Sequence, residues 1–522
     1  MPTYPAPTPA NYLSCPVPVF ADDITGASGK AINKDMDDEI KAAAAEAAAA
    51  VAAFKPPESI LIIGSGVFGL STAWALTKRP EFASTSITVL DRSPDPGVFP
   101  ARDAASVDSS RIIRADYADP AYAALAAEAS VLWKQRGDDE LGGQGRYSQS
   151  GLLLGANDGP LVREDGAATG IAYAKKSWVN AMALGQTQGY PLSSIRMVPK
   201  RENVAHLSRT GGGFADWGYL NQNSGWADAD AAMKWTYKKV VATGRVTFVN
   251  GTAERLETDA SGKRVTGAKL KDGSVLSADL VILAAGAWTS TLVDVSSQIV
   301  ATGQVMAYLK LTEEEQKKLE KMPVLLNLST GLFAIPPKNG TLKVARHSYG
   351  YLNPTEVPTP LGSAESSEAS GKDGEGPAKR LVSRPYTHLD NPKLKIPPEG
   401  EADLRRGLKS MIPWPELQDR PFSGTRICWY TDTATGDWVI DYHPEFEGLF
   451  VATGGSGHGF KFLPVIGEKI VGCIMGSYPL EFKDKWKWKM DSNANKAVVT
   501  EDGSRGGKPG LILEDVLESG KK

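Results

Sequence analysis

Gly64-Ser65-Gly66-Val67-Phe68-Gly69 carries glycines at the spacing that cradles a dinucleotide pyrophosphate. A second glycine run, Gly455-Ser456-Gly457-His458-Gly459-Phe460-Lys461, lies almost four hundred residues later. Ahead of it stands a lone cysteine in an aromatic setting, Cys428-Trp429-Tyr430-Thr431. A thiol there could bond a group covalently or lie inert as a small buried hydrophobe. Two loops at opposite ends of a chain, the second preceded by such a cysteine, suggest a flavin held from both sides.

The elements around the first loop suit that role. Ser59–Ile63 is a short apolar run of the kind buried in a parallel sheet, and an Ala/Leu-rich stretch through Leu76 reads as helix. Ser86–Leu90 is a second strand, ending at Asp91. In this βαβ context Gly64 allows the tight turn, Gly66 admits the pyrophosphate, and Gly69 lets the helix pack on the strand. The phosphates would sit at the helix N-terminus, where free N–H groups and the helix dipole favour an anion. Asp91 would hydrogen-bond the ribose hydroxyls; its spacing is slightly long, and the Lys78–Ser84 connection can absorb the excess. The motif alone does not separate FAD from NAD, and glycines serving a plain turn are the alternative. Arg245–Val249 and Leu280–Leu283 also read as strands. The latter runs into Ala284-Ala285-Gly286-Ala287-Trp288, small residues that suit either strand-to-helix packing or close approach to something flat or phosphorylated.

A chain of 522 residues is too long for one simple core and predicts two domains or an elaborated α/β pair. A net charge of −3 with both signs abundant gives no polybasic face for nucleic acid or an anionic membrane. Three scattered cysteines make neither a disulfide framework nor a zinc site, and none of the five histidines forms metal-ligand spacing with them, so no metal is expected. That cysteine usage fits a reducing compartment. The N-terminal tail contains an Ala-rich helix, read over Asp35–Phe54, with acidic residues at its start and Pro56-Pro57 after it. It is much shorter than a membrane span. The initial residues lack a basic region leading into an apolar one, and Ser519-Gly520-Lys521-Lys522 is no peroxisomal address, so the expected location is cytoplasmic. Pro354–Lys379, rich in Pro, Ser, Glu and Gly, reads as a mobile loop or insertion, and residues after Thr500 as a polar tail with a short helix over Leu511–Leu517.

Gly64–Gly69, Ser110-Arg111-Ile112-Ile113-Arg114, Gly286-Ala287-Trp288, Cys428–Thr431 and Gly455–Lys461 occur in the order found in the monomeric sarcosine oxidase family. Over roughly residues 58–485 the chain resembles that family, which includes pipecolate and saccharopine oxidases and the fungal fructosyl amino acid oxidases (amadoriases). The resemblance implies an α/β (α+β) fold: a Rossmann-like FAD-binding domain plus a substrate domain with a large mixed β-sheet. It assigns segments 58–140, 218–302 and 425–485 to the FAD-binding domain and 141–217 and 303–424 to the substrate domain. Residues 1–57 and 486–522 are left as tails. The cofactor-binding set it implies is Gly64, Ser65, Gly66, Phe68, Gly69, Asp91, Arg92, Ser110, Arg111, Ala253, Gly286, Trp288, Cys428, Gly457, His458, Gly459, Phe460 and Lys461. Cys428 matches the cysteine that carries the flavin as an 8α-S-cysteinyl thioether. Arg111 would lie near the ring and, with Ser110, set its environment; His458 would support flavin contacts.

The same resemblance implies catalytic roles for Lys343, His347, Arg114 and Lys461. Arg114 and Lys461 match the pair that binds the substrate carboxylate, where two cations give orientation as well as affinity. Lys343 matches the lysine that promotes reaction with oxygen, a fixed cation stabilising developing superoxide charge. His347 matches a histidine that polarises or positions the amine and is not an obligatory base. On a strand, a lysine and a histidine at this spacing are otherwise ordinary solvated residues. The implied reaction takes hydride from the carbon beside a neutral secondary amine to flavin N5, leaving an imine, and returns the electrons to O₂ as hydrogen peroxide. Saccharopine or pipecolate are expected ahead of sarcosine. Pro323–Leu328, Arg420–Ser423 and Lys461–Pro464 look more like the fungal amadoriase and saccharopine oxidase side, and a fructosyl amino acid comes next. A tailoring oxidase for a secondary metabolite, and a flavin dehydrogenase with another electron acceptor, are further alternatives. The partners expected are the small-molecule amino acid and O₂, with the chain a monomer.

Overall fold

The computed structural model describes residues 29–363, 378–490 and 500–519, and the chain divides into two compact units, residues 1–46 and 47–522. Among its described residues the first unit holds most of one helix, Gly29–Ala53, in place of the predicted Asp35–Phe54. Its alanine run favours helix, and Pro56-Pro57 follows its end. The second unit contains everything else.

A six-stranded sheet organises one side of that unit. Its order is Val439–Tyr442, Leu449–Thr453, Leu280–Leu283, Ser59–Ile63, Ser86–Asp91 and Val246–Asn250. Every neighbouring pair is parallel except the first. The apolar runs at Ile60–Ile63 and Leu280–Leu283 are buried, as strands covered on both faces must be. Because the central strands run the same way, Gly64, Asp91, Ala284 and Gly454 emerge side by side at one edge. Helix Val67–Lys78 packs on helix Ile466–Ile474, and Gly467 makes the close crossing possible: a Cβ there would lie 2.0 Å from the Ser71 carbonyl oxygen. The Ser71 hydroxyl donates to the Leu463 carbonyl at 2.8 Å and accepts the Gly467 N–H at 2.8 Å.

A ten-stranded mixed sheet carries the remaining chemistry. Its long strand Val300–Lys310 pairs antiparallel with Thr341–Arg346 and also with Gly424–Asp432. Lys343 and Cys428 are thereby brought to flanking strands. A small sheet of Arg111–Ile113, Gly225–Ala227 and Tyr147–Ser148 fixes the segment bearing Arg111 and leading into Arg114. Helix Pro120–Trp133 starts on an Asp119 cap that accepts the Ala121 and Tyr122 N–H groups at 2.9 and 3.1 Å. At its other end the Trp133 indole N–H donates to the Lys461 carbonyl at 2.7 Å. These layers give the mixed α/β architecture that the sequence predicts.

Two expectations change. The ends of the Pro354–Lys379 stretch form a hairpin, Pro354–Pro358 against Lys379–Ser383, while residues 364–377 lie outside the described residues. The polar tail read after Thr500 is instead built into the fold where it is described. Leu511–Ile512 adds a strand to the large sheet beside Tyr351–Leu352, followed by helix Leu513–Ser519. Thr500, Ser504 and Arg505 are buried, and hydrogen bond to Thr433, Asp502 and Asp432 respectively. Among the described residues no helix is long and apolar enough to cross a membrane.

Candidate active site and cofactor cradle

The first glycine loop is shaped by contacts that only glycine permits. Gly64 has φ +105°, and a Cβ there would lie 2.4 Å from the Ala284 carbonyl oxygen. A Cβ on Gly69 would lie 1.9 Å from the Gly64 oxygen. Gly66 opens helix Val67–Lys78 with no side-chain cap, leaving the first N–H groups for another acceptor. Asp91 braces the loop: its Oδ2 accepts both the Ser65 backbone N–H, at 2.9 Å, and the Ser65 hydroxyl. Burial pushes this carboxyl upward, against the lowering effect of the Ser65 bonds.

A cavity of about 560 Å³ opens along this edge. From the predicted cofactor set its lining takes Gly64, Gly66, Phe68, Asp91, Arg92, Arg111, Ala253, Gly286, Trp288, Gly457, Gly459 and Phe460. Arg92 lies over the Trp288 ring at 4.3 Å and pairs with Asp103 at 2.6 Å. Ser106 also lines the cavity, and its buried hydroxyl has no partner. The second loop closes against Tyr430: Gly457 has φ +70°, and a Cβ there would lie 2.3 Å from the Tyr430 ring. An uncapped helix start, an acidic residue ending the second strand, an orphan hydroxyl and two glycine walls together fit an FAD-type dinucleotide.

Ser65, Gly69, Ser110, Cys428, His458 and Lys461 are not among the lining residues. Ser65 and Gly69 shape the loop instead. Ser110 acts through its carbonyl, which accepts Lys343 Nζ at 2.9 Å and Arg111 Nη1 at 3.0 Å. Cys428, buried on its strand, has Arg111 Nη2 at 3.6 Å from its sulfur. His458 is directed away from the cavity: its ring stacks on Trp438 at 5.3 Å, with Nε2 2.8 Å from the Gly436 oxygen and Nδ1 3.1 Å from the Tyr117 hydroxyl. Its ring is thus engaged by Trp438, Gly436 and Tyr117.

Arg114 and Lys461 do come together, both against Tyr117. Lys461 Nζ donates to the Tyr117 hydroxyl at 2.7 Å and the His458 carbonyl at 2.8 Å, and Arg114 lies over the Tyr117 ring at 4.8 Å. Both side chains are buried, and Arg114 Nη1 has no partner. Burial and then the adjacent Arg114 drive the Lys461 ammonium well below its ordinary value, with Asp116 opposing. Two buried cationic groups with an unused donor make a ready receptor for one carboxylate.

Lys343 lies on strand Thr341–Arg346, and His347 directly follows it. Lys343 is ion-paired with Asp108, and burial brings its ammonium down to about 8 although Asp108 pulls it upward. His347 is half-buried, and desolvation with the charges of Arg505, Arg114 and Lys461 keeps its imidazole well below its ordinary value. It is neutral at physiological pH, which suits positioning an amine. Arg505 stands at its back, with Nη1 3.4 Å from His347 Nδ1 and Nη2 paired to buried Asp432 at 2.6 Å. Sequence reasoning missed Asp108, Tyr117, Asp432 and Arg505. Asp108 and Tyr117 lie within three residues of the Ser110–Arg114 motif and could have been weighed with it; Arg505 sits in a Gly/Ser-rich stretch that carries no signal.

Residues 59–472 match the family described as DAO, FAD-dependent oxidoreductase. The chain is 33% identical to the amino acid oxidase imqH of Aspergillus flavus over 81% of this chain and 93% of that one. It is 32% identical to the L-saccharopine oxidase of Schizosaccharomyces pombe, over 84% and 94% respectively. Among solved structures, the fructosamine oxidase amadoriase II of Aspergillus fumigatus superposes with a TM-score of 0.67 at 28% identity, covering 88% of this chain and 96% of that one. A fructosyl peptide oxidase from E. terrenum gives 0.71 at 25% identity, covering 88% and 96%.

Proposed function

The chain belongs to the DAO family of FAD-dependent oxidoreductases, and on that premise we propose that it oxidises a secondary amine bearing a carboxylate on or next to the reacting carbon. The observation that carries this reading is the buried Arg114/Lys461 pair around Tyr117, with an unused guanidinium donor on Arg114. Bound flavin supplies the hydride acceptor and the route for electrons to oxygen.

The protein's own groups do the rest. Arg114 and Lys461 grip the carboxylate and fix which carbon faces the ring. His347, neutral and half-buried, accepts or donates a hydrogen bond at the amine and adds no charge that would repel it. Lys343 is the cation for oxygen reduction, beside Arg111 and Cys428. Cys428, with a guanidinium at its sulfur, is the proposed thioether tether. The interleaved FAD-binding and substrate segments given above are the proposed domain division, and a cytoplasmic monomer using O₂ is the proposed setting.

Saccharopine or pipecolate lead as substrates, ahead of sarcosine, supported by the L-saccharopine oxidase relative and by the match of His347 to the sarcosine and pipecolate branch. A fructosyl amino acid is the second reading, supported by the solved structures that superpose. The test is anaerobic bleaching of the flavin absorbance by a panel of secondary amino acids, followed by admission of air and peroxide assay. Bleaching by saccharopine or pipecolate with peroxide on aeration is expected. Bleaching only by fructosyl amino acids would hand the case to the second reading. Bleaching without recovery in air would identify a dehydrogenase.

A further inference from the structure

Asp108 is the meeting point of several elements, yet the reading above gives it no contact with cofactor or substrate. Its Oδ2 is shared by the Lys343 ammonium and the Arg111 guanidinium. Its Oδ1 accepts the Tyr308 hydroxyl at 2.6 Å and the Ser109 backbone N–H at 2.7 Å. Arg426, tied to the Val107 and Ala104 carbonyls, adds a third positive charge. The side chains of Lys343 and Asp108 are only 3% and 2% exposed. Burial raises the carboxyl of Asp108, but Lys343, Arg111 and Arg426 outweigh it and hold the group well below the usual carboxylate range.

Seen from Lys343, the surroundings are unequal. Arg111 faces it from the Ser110 segment, the Cys428 thiol from strand Gly424–Asp432, and the Phe333 ring at 5.9 Å from the adjacent strand Leu332–Lys338. Its remaining acceptor is a neutral carbonyl, that of Ser110. Among the described residues Asp108 is the one carboxylate paired with it. Desolvation and a neighbouring guanidinium both favour losing the proton, and a buried ammonium stripped of its anion gives it up.

We propose that Asp108 is the positioning residue of the oxygen-side cation: it fixes the Lys343 ammonium beside Arg111 and Cys428 and keeps it protonated at neutral pH. The proposal rests on the reading of Lys343 as the group that promotes reaction with oxygen. It also explains how a buried lysine beside Arg111 can serve as a cation at all. The cluster still carries net positive charge, since one carboxylate meets three basic side chains.

The test compares flavin-loaded wild type, Asp108→Asn, Asp108→Glu and Lys343→Met, mixing each reduced protein with oxygen from about pH 6 to 9. Asp108→Asn should reoxidise about tenfold more slowly than wild type near pH 8 and approach it near pH 6, with anaerobic reduction by substrate within about twofold. Asp108→Glu should return toward the wild-type profile, and Lys343→Met should be slow throughout. If Asp108→Asn parallels wild type while Lys343→Met is slow, the proposal is overturned and the lysine's role stands. A fast Lys343→Met removes that role and the proposal with it.

A second readout is independent of turnover. Asp108→Asn should lower the melting temperature, and adding Lys343→Met should recover part of the loss because the stranded ammonium is gone; no recovery overturns the proposal. Should Asp108→Asn fail to accumulate, Tyr308→Phe serves in its place. Taking one donor from the carboxylate strengthens its hold on Lys343, so the alkaline loss of reoxidation should move upward; an unmoved profile again overturns the proposal.

Discussion

Individual side chains in this site are defined by what they lack. Arg114 has a buried donor with no acceptor, and Lys461 has only neutral partners. Both needs are met by one carboxylate, so Arg114→Gln should weaken substrate binding by about 3 kcal/mol, a KM roughly a hundredfold higher. Steady-state kinetics check this, and kcat should fall far less. Lys343 gives a pH signature of a different kind. Its ammonium titrates at about 8, below the ordinary lysine value, so the charged form is present below that pH and lost above it. Reoxidation by oxygen should therefore fall as pH rises through about 8, and Lys343→Arg, whose charge does not titrate, should flatten that fall. A wild-type rate that climbs with pH through this range would contradict the assignment. The same lysine has a linkage effect on stability. Its folded value lies below its unfolded one, so burying the charge weighs against folding at neutral pH, and that penalty fades only as pH rises above about 8.

The elements differ in how openly the sequence announced them. Strand Ser59–Ile63, its glycine turn and helix Val67–Lys78 were legible because apolar runs and glycine spacing are local properties. So was the strand-borne position of Lys343. The segment Thr500–Gly506 was not, since nothing in Asp502-Gly503-Ser504-Arg505 distinguishes a solvated tail from a strap. Only the fold supplies Asp432, itself carried seventy-odd residues earlier on Gly424–Asp432, as the buried partner of Arg505. Burial raises the Asp432 carboxyl, and Arg505 is the first influence holding it down. Arg505→Met should leave that carboxylate stranded and cost about 3–5 kcal/mol. Urea denaturation would measure it; a change below about 1 kcal/mol would mean the segment is held by its strand and backbone contacts alone.

Over the whole second unit, the cavity is where the two large sheets meet. The parallel sheet contributes the loops after Ile63, Asp91, Leu283 and Thr453; the mixed sheet contributes Trp429, Tyr430 and Thr431 from strand Gly424–Asp432. No local pattern could have shown that meeting, because it joins residues from Ile63 to Phe460 and depends on how both sheets are threaded. Its consequence is cooperative. A ligand filling the cavity touches both sheets, so it should stabilise both rather than only the sheet bearing the glycine fingerprint. The Cys428→Ala variant makes this measurable, because acid should then release its yellow colour into the supernatant while the wild-type colour stays with the precipitate. Stripped of flavin, that variant should melt at a lower temperature and over a broader range, as each sheet loses the contacts that tied it to the other. Added FAD should restore a single sharper transition, with stabilisation growing as the logarithm of free ligand to about 2.7 kcal/mol at a hundredfold excess over Kd. Calorimetry across an FAD series distinguishes the outcomes. If only one of two resolved transitions moves with FAD, the cofactor is held by one sheet, and the Trp429–Thr431 wall is merely a neighbour.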